Sequence, residues 1–279
     1  MQVGPKGWVV LLAPAACFRW AERPALVARV EQPARLAARA SCTTDSAHLT
    51  CTQAEAEAYC SGLSLDGSSD WRLPAEHELH TLVDLTQYDP AIDGTKLPNT
   101  AAASYWTSSP YALASGQAWV VDFEYGGSSS DTVGSLHNVR CVRGSRCYPT
   151  SRFVVSGGFV TDTLTNLGWQ QQSSPGDTPL VDWAAAGWYC SDAGSGLRSP
   201  TLKELESLVD LTVASPPTIN QTVFPNTRVD SYYWTSSPSA SSYGGVDAGY
   251  SGDAWYVNFD SGSSNFDWVE VDITVRCVR

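Results

Sequence analysis

Positive charge is what this chain has least of. Its 279 residues hold 17 Lys and Arg against 29 Asp and Glu, a net charge of −12. Nothing in that balance would neutralise phosphates, which excludes a nucleic-acid partner. No Cys-x-x-Cys or mixed Cys/His spacing appears, so zinc and thioredoxin-type chemistry have no ligand set. There is no Gly-x-Ser-x-Gly elbow either, and no membrane span is expected, because no stretch approaches the ~18 apolar residues that a spanning helix needs. Charged residues make up only 16% and hydrophobic ones 43%, so the chain can bury cores and is not a charge-driven disordered segment.

What is present is aromatic and turn-rich: 11 Trp, 12 Tyr and 22 Gly, with eight Cys. The length suits two domains of roughly 100–150 residues each. Residues 1–40 carry six basic groups and two acidic ones, so a +4 segment precedes a body of −16. Lys6 followed by the apolar run Trp8 to Ala16 resembles a secretory signal, and Cys17 after Ala15-Ala16 resembles a lipid-attachment site. Residues 1–41 are therefore expected to be a leader or signal-like, poorly ordered segment. The protein is expected to be secreted or held at the cell surface.

A repeat organises the rest. Tyr105-Trp-Thr-Ser-Ser-Pro110 returns as Tyr233-Trp-Thr-Ser-Ser-Pro238, and Val139-Arg-Cys-Val-Arg143 returns as Val275-Arg-Cys-Val-Arg279. The offset between copies grows from 126 to 128 and then 136 residues, which means two domain-sized units and not a solenoid. We delimit them as 42–146 and 147–279. Most of the growth falls after the second Tyr-Trp-Thr-Ser-Ser-Pro, where fifteen residues (239–253) replace seven (111–117), as in a surface loop.

Each unit reads as two helices followed by short strands, an α+β pattern with long Gly/Ser/Asn/Asp loops. Thr52 to Cys60 and Val181 to Cys190 are Ala-rich and helical. A second helix is expected with Pro74 at its first position, and in the other copy with Ser199 as N-cap and Pro200 next. Ala118 to Phe123 alternates as a strand, repeated around Trp255, Val257 and Phe259. Cys60 and Cys141 correspond to Cys190 and Cys277, so each pair is expected to close its own copy as a disulfide. Cys17, Cys42, Cys51 and Cys147 have no repeat partners, and their pairing stays open.

Asp70-Trp-Arg-Leu-Pro74, Glu78-Leu79, Tyr105 to Ser109, Ala118-Trp119 with Phe123, and Val139 to Arg143 together resemble one bacterial family. It is named for the C-terminal domain of the Legionella collagen-like adhesin. The second copy matches with Leu197-Arg-Ser-Pro200, Glu204-Leu205, Tyr233 to Ser237, Ala254-Trp255 with Phe259, and Val275 to Val278. It adds an opening, Arg152-Phe153, Val160-Thr-Asp162 and Thr165 to Gln170, that the first copy lacks. The resemblance implies a C-type-lectin-like fold related to the formylglycine-generating-enzyme type, and an extracellular or surface setting. The namesake binds sulfated glycosaminoglycans, but an acidic body is a poor match for that ligand class, which is not carried over.

Several residues invite chemistry. His77 and His80 lie a helical turn apart beside Glu76 and Glu78; two ligands do not complete a metal site, and a solvated helix face is the expectation. Ser108/Ser109 and Ser236/Ser237 have no base beside them. Asp66, Asp70, Asp247, Asp253, Asp260 and Asp267 lie in loops that could hold calcium, but the Glu-Pro-Asn and Gln-Pro-Asp triplets of calcium-dependent lectins are absent, and solvated turn aspartates are favoured. No cofactor is expected. Loop aromatics with Ser, Gly and Asn form adaptable recognition surfaces, and aromatic faces stack on sugars. The candidate ligand-binding residues are Tyr125, Asn138, Tyr250, Asp253, Asn265 and Trp268. Trp71, Trp119, Trp169, Trp234 and Trp255 recur in motif positions or alternate with apolar residues, and are assigned to the core. The expected function is non-catalytic binding or adhesion to an extracellular carbohydrate or surface protein. The alternatives are a formylglycine-type oxidase, which would need a reactive thiol pair, and a purely structural envelope repeat.

Overall fold

The computed structural model describes residues 2–3, 9–10, 42–44, 49–65, 67–144, 152–172, 180–194, 196–241 and 252–279. Strands β1 (Gln2–Val3) and β2 (Val9–Val10) form a short antiparallel pair. The remaining described residues form two compact units, 42–144 and 152–279.

The first unit runs β3 (Thr43–Thr44), β4 (Leu49–Cys51), α1 (Gln53–Ser61), β5 (Trp71–Arg72), α2 (Glu76–His80), β6 (Ser104–Pro110), β7 (Gln117–Asp122), β8 (Ser128–Thr132), β9 (His137–Asn138) and β10 (Val142–Arg143). Six strands join in the order β3-β4-β9-β6-β7-β8, and β10 pairs with β5. The second unit opens on an antiparallel meander, β11 (Phe153–Ser156), β12 (Phe159–Asp162) and β13 (Leu167–Gln170). After α3 (Trp183–Ala193) and α4 (Leu202–Glu206) come β14 (Tyr233–Pro238), β15 (Asp253–Val257), β16 (Ser264–Trp268) and β17 (Thr274–Val275), ordered β16-β15-β14-β17. The fold is mixed α+β, with two helices in each unit among the described residues.

Local chemistry sets the helix starts. Thr52 and Glu55 cap α1, the Thr52 N–H donating to Glu55 Oε2 at 2.9 Å. The Asp182 carboxylate accepts from the Ala185 N–H at 2.7 Å to start α3. The second helices begin later than the prolines predict. The Pro74 and Pro200 carbonyls accept the N–H groups of Ser108 and Ser236 at 2.7 and 2.6 Å, which keeps both prolines extended beside β6 and β14. Helix α2 therefore starts at Glu76, and α4 is capped by Thr201 and not by Ser199.

The period of two along each strand serves both faces of the sheet. In the first unit Trp106, Ala118 and Val120 pack with Ala56, Tyr59 and Cys60 of α1. Tyr105, Val121 and Phe123 pack with Leu79 and Val83 on the α2 side. The second unit repeats the first of these cores with Trp234 and Ala254 against Ala186 and Cys190. Trp71, Trp119, Trp169, Trp234 and Trp255 are all buried, as expected. Arg140 and Arg276 are buried too. The Arg276 guanidinium donates to the Gln170 and Gln171 carbonyls and to Thr227 Oγ1, and stacks over Phe224 and Tyr233.

Both expected disulfides are present: Cys60–Cys141 ties α1 to the segment before β10, and Cys190–Cys277 ties α3 to the chain end. A third, Cys42–Cys51, spans β3 and β4. Cys17 and Cys147 lie outside the described residues.

Candidate ligand-binding surface

Strand β16 is the outermost of its sheet, and its alternation deals the predicted residues to two faces. Trp268 stands directly opposite Asp253, on the face that carries Trp255 and Phe266, whose rings meet edge to face at 5.2 Å. Trp268 is 56% exposed, whereas Asp253 is buried at 9%. Asn265 lies on the other face, opposite Tyr256, and is exposed. Tyr256 stacks on Tyr232 with ring centroids 4.4 Å apart and planes 7° from parallel. Burial pushes the Tyr256 phenol up to about 12, with Tyr232 and Asp267 adding to the shift, so it stays a neutral donor at physiological pH. The Asn265 and Asp267 side chains each accept the N–H of the following residue at 2.8 Å. Those bonds occupy backbone donors on an outermost strand and discourage strand addition, leaving side chains to do the recognising.

Tyr232 and Tyr256 escaped the sequence reading. The signal was the comparison of copies: Tyr232, Tyr256, Asn265 and Trp268 stand where the first unit has Ser104, Val120, Ser129 and Thr132. The first unit places its own two candidates differently. Tyr125 is half-buried in the turn between β7 and β8. Asn138 is buried within β9, between β4 and β6, and its Nδ2 donates to the Ser104 carbonyl at 3.4 Å, so its side chain joins strands and is not presented on a loop. Tyr250, Asp66 and Asp247 lie outside the described residues.

The helix face expected to be solvated is not. Glu76 and His80 are each only 3% exposed. Glu76 Oε1 accepts from Ser128 Oγ at 2.6 Å, its Oε2 pairs with His77 Nδ1 at 2.7 Å, and His80 Nε2 bonds the Gly126 carbonyl at 2.9 Å. Burial works against the charged carboxylate, but His77, His80 and Ser128 outweigh it and hold Glu76 down at about 2. The cluster anchors the β7–β8 turn from beneath. The paired serines are structural: Ser109 Oγ accepts the Glu76 N–H and Ser237 Oγ the Leu202 N–H, both at 3.0 Å. Among the described residues no group of three or more His, Cys, Asp or Glu could hold a metal ion. No helix among them is long and apolar enough to cross a membrane.

Two regions, 19–143 and 158–279, match the profile of the Lcl C-terminal domain. The chain belongs to this family and carries two tandem copies of the domain. The first matched region begins ahead of Cys42, so it takes in part of the segment before the first repeated motif. A search of curated proteins found no match to the chain.

Proposed function

We propose that this protein is a non-catalytic binding or adhesion module of two C-type-lectin-like domains, which holds an extracellular carbohydrate or surface protein against the second domain. The observation that carries the reading is a pair of exposed aromatics, one on each face of the β14–β16 sheet: Tyr232, 39% exposed just before β14 on the Tyr256 face, and Trp268, 56% exposed at the end of β16 on the opposite face. Exposed aromatics of this size cost solvation and contribute contact area at low conformational entropy, which is the economy of a recognition surface. Three disulfides are consistent with an extracytoplasmic setting. A formylglycine-type oxidase would require a reactive thiol pair, and the six cysteines within the described residues are all bridged.

The test is a binding screen of the intact chain against arrayed glycans and purified surface proteins, with Trp268→Ala and Tyr256→Ala run beside it. Binding that drops for either variant supports the reading. Binding that survives both substitutions removes this surface from it.

A further inference from the structure

From Val229 to Val275 the chain contains no lysine or arginine, yet it carries seven aspartates and glutamates. That stretch supplies all of β14, β15, β16 and β17. The two cations that border it are already committed. Arg228 is bonded to the Asp230 carboxylate at 2.9 Å through both Nε and Nη2, and Arg276 is fully buried. On the sheet face that carries Tyr256, the exposed Asn265 lies opposite that ring and Asp267 is its diagonal neighbour, with Tyr232 stacked alongside. Aromatic faces are the negative side of the ring quadrupole, so stacked tyrosines and a carboxylate present one sign of potential.

We infer that the Tyr232–Tyr256–Asp267 patch of the second domain takes the cationic side chains of a protein partner, arginine above all. The inference rests on the binding reading given above and names its ligand class. Charge complementarity carries it: the strands that build this surface contribute no lysine or arginine to pair with an anionic polysaccharide, and a guanidinium stacks flat on a tyrosine while forking to a carboxylate. The bonds that Asn265 and Asp267 make to backbone N–H groups oppose strand pairing, so the partner is read through its side chains. The first domain does not duplicate the patch, because Ser104 and Val120 replace the two tyrosines.

The probe is a hexa-arginine peptide titrated calorimetrically against the full chain at two salt concentrations. A generally acidic protein attracts such a peptide through net charge alone, so the deciding variants keep the charge. Tyr232→Ser/Tyr256→Ala is expected to weaken binding about tenfold, the scale of a desolvated cation–aromatic contact. Asp267→Asn is expected to weaken it several-fold, and Glu57→Gln, at an exposed position of α1 in the first domain, to leave it unchanged. The single variant Tyr232→Ser, at a 39% exposed position, keeps the test valid if the double variant fails to fold. Binding within twofold of wild type for both tyrosine variants overturns the proposal. A parallel titration with chitohexaose separates the two levels. Tyrosine-dependent sugar binding without peptide binding removes the cationic ligand and keeps the surface, whereas insensitivity of both titrations to the tyrosines removes both.

Discussion

Removing Cys190–Cys277 should cost the second domain far more than removing Cys42–Cys51 costs the first. The partners of the former are 87 residues apart in sequence and those of the latter 9. Chain entropy assigns about 4.6 kcal/mol to the long closure and about 2.7 kcal/mol to the short one. Cys190 and Cys277 are also fully buried among Ala186, Leu197 and Trp234, so paired alanines lose packing as well as the link. For a domain of this size, the long-loop loss converts to a fall in Tm on the order of 15 °C. The assay is differential scanning calorimetry of Cys190→Ala/Cys277→Ala and Cys42→Ala/Cys51→Ala beside the oxidised wild type. Two transitions are expected in the wild type, with the second-domain transition falling steeply in the first variant and the first-domain transition falling less in the second. Equal shifts, or a larger loss for Cys42–Cys51, would refute the argument that loop length sets the ranking.

Three further outcomes follow from the buried polar groups and from the exposed ring. Glu76 is held at about 2 against an ordinary 4.5, so its contribution is fully present above pH 4.5 and is lost as pH falls through 2. Glu76→Gln should cost about 3 kcal/mol at pH 7 and flatten the acid limb of a urea-midpoint-versus-pH curve; an unchanged limb would mean the carboxylate is not held as described. Arg276→Lys loses the fork that reaches two carbonyls and a hydroxyl, and should lower stability by about 2 kcal/mol in denaturant titration, whereas near-neutrality would deny the guanidinium its structural role. Trp268→Ala should shift stability by less than about 0.5 kcal/mol while weakening binding, because a ring mostly in water contributes little to the core.

The parts of this structure legible in the sequence are those present twice. Cys60–Cys141 and Cys190–Cys277 could be paired because each joins the same two elements in both copies, whereas Cys42–Cys51 exists once and left no pattern to compare. The repeated tryptophans could be assigned to the core for the same reason. The helix starts were misplaced by two residues because Pro74 and Pro200 looked like first-turn prolines, and their carbonyls are engaged by serines of distant strands. Glu76 and His80 looked solvated because polar residues near one another in sequence show no partner; the partner, Ser128, is 52 residues away. The Tyr232–Tyr256 stack was hidden by the same non-locality, since only the pairing of β14 with β15 brings the rings together.

The most direct test of the binding surface is NMR perturbation mapping, with hexa-arginine added to isotope-labelled protein at near-physiological salt. The account predicts shifts concentrated at Tyr232, Tyr256, Asn265 and Asp267, with the first domain silent. Shifts spread evenly over the acidic surface of both domains, or centred on the first, would contradict it.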